Sequence, residues 1–365
     1  MAEPPLSALT VAQLKELQAT HGIKLASGLS KEQLVAMILG WFRDRQLGNP
    51  ITELKYFTPE LPYSRLVPTA INLAYAKEPP LLLKPTITIG PPITVDLPPR
   101  GEYPTVPPPT DKSPLWLHHL HRHGWTIVPV PGVNVPACVR AFGSWLESGH
   151  PELKFNDPRT WTADRMPKSY KGLLRHHYAH EPFQWHIREA CYPVFREIWQ
   201  TDQLLASFDG GSLMHQTGNG DSWRAWFHAD HGRESSYQME SVQGFVTLSD
   251  CGPEDGGLVL LHGSREVYHK YLATHPSEGI IGYKVDIHDP SVKDLPMLKM
   301  CLPAGYLMLW DSRMFHCNVP PRSKQIRLVQ YVSMLPAMGC DAATLQKRKE
   351  LYEKGMMTNH WCYGR

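Results

Sequence analysis

The sequence predicts a mainly β fold with helices, in which an antiparallel sheet domain follows a small helical module and a proline-rich spacer. Three observations lead there. Residues 326–332 alternate apolar and polar, so Arg327 points to the face opposite Leu328, as on a half-buried strand. The apolar runs 245–248 and 258–261 flank a turn-rich break at 250–257, which predicts a hairpin. Residues 307–316 pass from an apolar run into polar residues, the pattern of a strand leading into a site.

The chemistry sits on those strands. His228 and Asp230 are one residue apart, so on a strand they share a face while Ala229 turns away. His316 follows 86 residues after Asp230, and Arg327 eleven later. Two imidazoles and a carboxylate on one side of a metal leave positions open for a bidentate keto acid and O2, which is the Fe(II) pattern. A lone arginine on a strand needs an anion, and a planar guanidinium grips a carboxylate through two parallel hydrogen bonds. The C5 carboxylate of 2-oxoglutarate is the candidate. By itself an H-x-D triplet is weak in a chain with 19 histidines; the agreement of four elements in order and type gives it weight.

From about residue 115 to 335 the chain resembles the phytanoyl-CoA dioxygenase family of Fe(II)/2-oxoglutarate oxygenases. Residues 123–129 resemble the family's opening strand, and residues 256–264 its glycine-led strand, although Arg265 stands where the family has histidine. The resemblance implies a double-stranded β-helix, a cupin-like jelly roll with helices buttressing one sheet. It implies His228, Asp230 and His316 as iron ligands and catalytic centre, and Arg327 as the co-substrate anchor. Asn318, Phe245 and Gln243 are implied as further contacts around 2-oxoglutarate. It also implies that 2-oxoglutarate is decarboxylated to succinate while a C–H bond is hydroxylated, or an N-alkyl group oxidatively demethylated. Relatives that halogenate carry a small residue in place of the carboxylate, so Asp230 favours hydroxylation. Trp223, Arg224, Trp226, Phe227 and His231 flank the triplet as candidate pocket walls, or as ordinary core.

The first 45 residues form a separate unit. Residues 10–13 and 30–33 each match a capping box, and Leu14, Leu17, Leu34, Val35 and Ile38 recur at helical spacing. Residues 6–42 resemble the SAP motif, a helical module that implies DNA binding. Five basic against four acidic residues in 1–45 make a thin electrostatic footprint, and a helical hairpin docking on a protein partner is the competing reading. Residues 46–114 read as a linker or strap; 79–114 hold 12 prolines in 36 positions, with edge strands conceivable at 86–89 and 93–95. The oxygenase domain is expected over 115–340 and a basic helix with tail, solvated on its charged face, over 341–365.

Whole-chain properties narrow the rest. A formal charge of +2 provides no global field for nucleic acid or anionic membrane. Seven cysteines without C-x-x-C spacing read as reduced thiols, and no run approaches a membrane span, so an intracellular protein of nucleus or cytoplasm is expected. His118, His119, His121 and His123 read as the polar face of a helix; His176, His177 and His180 fall in a helical insert before 206–211, where such folds often meet substrate. The functional expectation is a dioxygenase acting on a nucleobase or chromatin component. A small-molecule hydroxylase, whose N-terminal unit serves protein contacts, is the alternative within enzymes. A binding protein that keeps the fold without turnover is the alternative outside them.

Overall fold

The computed structural model describes residues 104–363, except 163, 168, 171, 175–177, 216–224, 231–237 and 276–282, and in addition 30, 33 and 66–68. Within the N-terminal module only Ser30 and Gln33 are described, and they make both bonds of the expected capping box: Gln33 N–H donates to Ser30 Oγ (3.2 Å) and Ser30 N–H to Gln33 Oε1 (2.9 Å). The rest of that module, the strands considered at 86–89 and 93–95, and Lys171, His176, His177, Trp223, Arg224 and His231 lie outside the described residues.

Two sheets carry the domain. One is ordered β1 (Leu66–Pro68), β11 (Met297–Lys299), β9 (Gly257–Leu261), β13 (His316–Val319), β7 (His228–Ala229), β10 (Tyr283–Lys284). The other runs β2 (Trp125–Pro129), β12 (Tyr306–Asp311), β8 (Val242–Thr247), β14 (Arg327–Tyr331), β6 (Gly211–Met214), β4 (Leu173–Leu174), β3 (Ser169–Tyr170). A two-stranded pair, β5 (Leu204–Ala206) and β15 (Met334–Pro336), lies apart. The pairings are antiparallel except β1 with β11, so part of the expected strap docks as a parallel edge strand.

Strand alternation sorts the core into layers. Leu258 and Leu260 of β9 share one buried cluster with Phe245, Met308 and Trp310 of the opposite sheet, so the two sheets face each other. Val259 and Leu261 turn the other way, onto Tyr268, Tyr271 and Leu272 of a helix at Ser264–Thr274. Val242 and Val246 of β8 pack outward with Phe142 and Leu146 of the helix Val135–Gly149 and Phe195 and Ile198 of the helix Pro182–Trp199. Both sheets are therefore helix-covered, where buttressing of one was expected.

The expected hairpin is also corrected. β8 and β9 belong to different sheets, and residues 250–256 carry the chain across the gap rather than turning it back. Cys251 instead bridges Leu302, and the Asp255 carboxylate accepts from Gly252 N–H. Two apolar runs around a glycine-rich turn look alike whether the turn closes a hairpin or spans a jelly roll, because both faces of each strand are buried here.

The first histidine stretch does form a helix, α1 (Leu115–His123), ended by Gly124 at φ 76°, whose N–H bonds Leu120 O. A Cβ there would also sit 2.7 Å from Met314 Sδ. The helix is not polar on its histidine face, because His119 is 6% exposed, donates Nδ1–H to Trp125 O, and packs 4.5 Å from the His123 ring. Burial and the neighbouring His123 lower its pKa to about 3, and burial lowers that of His123 to about 4. In the unfolded chain both titrate near 6.5. Between those values the unfolded state binds more protons, so stability present above pH 6.5 drains away as pH falls toward 4. His119→Gln is expected to flatten the pH dependence of the unfolding free energy, extrapolated from urea titrations, by up to about 3 kcal/mol over this window relative to wild type. Identical slopes for the two proteins would remove His119 from the account.

Candidate metal centre

Cross-strand register builds the site. His316 opens β13 and pairs directly with His228 on β7, which sets their rings 4.4 Å apart although 88 positions separate them in sequence. Asp230 follows β7 and reaches both: His228 Nε2 lies 3.5 Å from Oδ1 and His316 Nε2 3.3 Å from Oδ2. Each imidazole holds its Nδ1 toward a backbone carbonyl two residues earlier, Met314 O at 3.0 Å and Trp226 O at 3.4 Å. A carbonyl only accepts, so Nδ1 carries a proton, and Nε2, which meets Asp230 here, is the nitrogen free to turn a lone pair to a metal on losing its own. The three ligand atoms lie within 4.8 Å of one another, which suits a single ion bound by two nitrogens and a carboxylate oxygen.

Surrounding groups fix this geometry. Gln243 Nε2 donates to Asp230 Oδ2 (3.0 Å) and to Ser312 Oγ (3.3 Å), and Trp226 stacks on His228 with centroids 4.9 Å apart. Burial alone would raise the Asp230 carboxyl, but the two imidazoles hold it well below the usual carboxylate range. Gln243 thus reaches the carboxylate of the candidate ligand set itself.

Arg327 begins β14 on the opposite sheet and is 2% exposed. Its Nη1 donates to Ser212 Oγ at 2.7 Å, its guanidinium carbon sits 5.2 Å over the Phe245 ring, and its buried Nη2 has no partner among the described residues. Among the described residues no carboxylate pairs with it. A buried cation left so costs several kcal/mol unless an anion joins it, and the residues therefore fit an anionic co-substrate. Asn318, on the same face of β13 as His316, lines a cavity of about 310 Å³ with Trp226, Met214 and Pro320. Of the expected contact residues, Asn318 lines this cavity, while Phe245 and Gln243 lie on the inward face of β8, against Arg327 and Asp230 respectively. Phe227, by contrast, packs outward in the core under the helix Ser264–Thr274. Arg265, the departure noted above, donates to His121 O and Arg122 O at the end of α1.

Two groups that feel the charge of the triad were not singled out in the sequence, although one lies in the segment 206–211 noted above. Burial pushes the Asp209 carboxyl up to about 7, against a hydrogen bond from Ser207 and the charge of Arg188, and with Asp230 adding to the rise. His360, in the tail, is lowered by burial and feels Asp230, His316 and His228. The Gly-Gly pair after Asp209 was the available signal for the first; nothing local marks the second.

The chain is 29% identical over 264 residues to "Ava biosynthesis cluster protein O" of Aspergillus versicolor, covering 67% of this chain and 85% of that one. Similar solved structures include the epimerase SnoN in complex with Fe3+, alpha ketoglutarate and nogalamycin RO, at TM-score 0.42 and 15% identity over 61% of this chain and 83% of that one. EctD from S. alaskensis with 2-oxoglutarate and 5-hydroxyectoine aligns at TM-score 0.42 and 13% identity over 67% and 84%. Residues 122–329 match the model of the phytanoyl-CoA dioxygenase family, which spans both histidines, the aspartate and the arginine, and the chain belongs to that family.

Proposed function

We propose that this chain is a dioxygenase that hydroxylates, or oxidatively demethylates, a C–H position of a small molecule. The family's cofactors are Fe(II), 2-oxoglutarate and O2, and the His-Asp-His cluster is present to receive the metal. The observation that carries the reading is the buried Arg327, its Nη2 unpartnered among the described residues, within the same roll as three converging donor side chains. His228 and His316 would offer Nε2 and Asp230 one oxygen, with Gln243 holding the other. When bound, the metal couples decarboxylation of 2-oxoglutarate to oxidation of the substrate. Arg327 would orient the co-substrate by its C5 carboxylate, while Phe245 beneath the guanidinium keeps water from that contact.

A cavity of about 310 Å³ is the size of a small-molecule site, and the relative's place in a biosynthesis cluster supports that class. This reading takes precedence over the nucleobase or chromatin substrate anticipated from residues 1–45. Succinate release from the full chain with Fe(II) and 2-oxoglutarate, with Asp230→Ala as control, tests the chemistry. Mass spectrometry of a mixture of metabolites and nucleosides tests the substrate. A metabolite gaining one oxygen or losing an alkyl group is expected; conversion of nucleosides alone would reverse the substrate class, and an isomer without added oxygen would replace hydroxylation by epimerisation.

A further inference from the structure

Between Asp311, which ends β12, and His316, which opens β13, the chain makes one tight turn, closed by Met314 N–H donating to Asp311 O at 2.9 Å. Two of the three candidate ligands are held from it. His316 is held directly, since its Nδ1–H donates to Met314 O at 3.0 Å. Asp230 is held at one remove, through Gln243, whose Nε2 donates to Asp230 Oδ2 at 3.0 Å and to Ser312 Oγ at 3.3 Å. A carboxylate only accepts, so the amide nitrogen must face Asp230. Its second hydrogen goes to Ser312, and the amide has no freedom left to turn.

The turn is itself clamped. Arg313 Nε donates to Asp311 Oδ1 (3.0 Å) and Oδ2 (3.2 Å), Nη2 donates to Oδ2 (2.6 Å), and the Arg313 N–H donates to Oδ1 (3.0 Å). Asp311 is 1% and Arg313 7% exposed, so water competes little for these bonds. Backbone ties fix the turn to its surroundings: Asp311 N–H donates to Gly124 O, Ser312 N–H to Ser241 O, and Phe315 N–H to Ser264 Oγ. Arg265, beside Ser264, stands 4.0 Å from Asp311 Oδ2 while it caps the end of α1, and brings a second cation to the same carboxylate. That gives the departure at position 265 a local reason.

We infer that Ser312 is a positioning residue for the metal site, acting through Gln243 on Asp230, and that the buried Asp311–Arg313 pair shapes the turn that presents it. The inference rests on the metal assignment above. None of the three side chains belongs to the group whose donor atoms converge, so changing them leaves the donor set whole and alters only where Asp230 points. A buried ion pair often adds no net stability over an apolar pair of the same volume, and what this one contributes is a fixed spacing between Ser312 Oγ and Met314 O. One turn then sets an imidazole from β13 and a carboxylate from beyond β7 to a common point.

The deciding experiment titrates Co(II) into the full chain and reads its ligand-field absorption, Co(II) accepting the same nitrogen and oxygen donors. Ser312→Ala is expected to bind Co(II) roughly three- to ten-fold more weakly than wild type, the loss of one buried hydrogen bond, with altered absorption bands and unchanged circular dichroism. Gln243→Ala should lose at least as much. The double variant should bind no more weakly than Gln243→Ala alone, because Ser312 reaches Asp230 only through that amide. Wild-type affinity and bands in Ser312→Ala, or losses that multiply in the double variant, would overturn the role of Ser312 and leave the metal assignment standing. Undiminished Co(II) binding by Asp230→Ala would overturn the metal assignment instead. Asp311→Asn combined with Arg313→Gln removes both charges together, so neither is left buried alone, and is expected to weaken Co(II) binding as Ser312→Ala does. Wild-type affinity in that pair would overturn the clamp; should the pair not fold, the Ser312 series decides.

Discussion

His228→Ala, Asp230→Ala and His316→Ala are each expected to bring succinate formation down to background while leaving the fold intact. The reason is local. Each residue supplies one of three donor atoms within 4.8 Å, and two donors cannot hold an ion in a facial arrangement. Fold retention follows from placement. The register of β7 with β13 and of β13 with β9 is made by backbone bonds, and His316 and His228 flank the buried clusters rather than filling them. A graded variant separates geometry from ligation. Gln243→Ala removes the bond to Asp230 Oδ2 but no donor, and outer hydrogen bonds of this kind are worth roughly 10–100-fold in metal affinity. Titration with Fe(II) under argon, read beside succinate release and circular dichroism, checks the series. Wild-type succinate yields from any two of the three alanine variants would sink the assignment.

The site was legible in the sequence to the extent that period-2 alternation carries it. His228 with Asp230, and Arg327 against Leu328, need only local strand geometry, and the structure keeps both patterns. The partnership of His228 with His316 is a matter of register between distant strands, which spacing alone does not reveal. Where both faces of a strand are buried, alternation loses its contrast. Gly257–Leu261 and Val242–Thr247 are buried at every position, so their runs read as a hairpin although they lie in different sheets. Polar residues in helices were misjudged for a related reason. Arg348 and His119 carry solvated-face chemistry in the sequence, yet their hydrogen bonds to Ala206 O, Cys362 O and Trp125 O exist only after distant segments meet.

Arg327 should set the affinity for 2-oxoglutarate, with binding weakening from wild type to Arg327→Lys to Arg327→Ala. Lysine retains a charge on a flexible stem but cannot present the planar fork, and alanine loses charge and fork together. A hydrogen bond to a charged group contributes about 1.5–3 kcal/mol, which corresponds to roughly one to two decades in KM for the co-substrate. Part of the guanidinium is already committed, since Nη1 donates to Ser212 Oγ and the Phe245 ring lies beneath it. The remaining buried Nη2 is the atom whose loss the experiment reads. Arg322 is the control of the same chemistry, because it stands 4.0 Å from Glu254 in a more exposed setting. Arg322→Ala is therefore expected to leave co-substrate binding near wild type. Calorimetric titration of 2-oxoglutarate into the metal-loaded variants decides between them: normal binding by Arg327→Ala with a ten-fold loss in Arg322→Ala would move the anchor to the other arginine. Stability carries a second, opposite signature. Without co-substrate, Arg327 is a buried charge lacking a counter-ion among the described residues, so Arg327→Ala should not be as costly as its burial suggests. The wild type, in contrast, should gain thermal stability on adding 2-oxoglutarate, and the alanine variant should lose that gain.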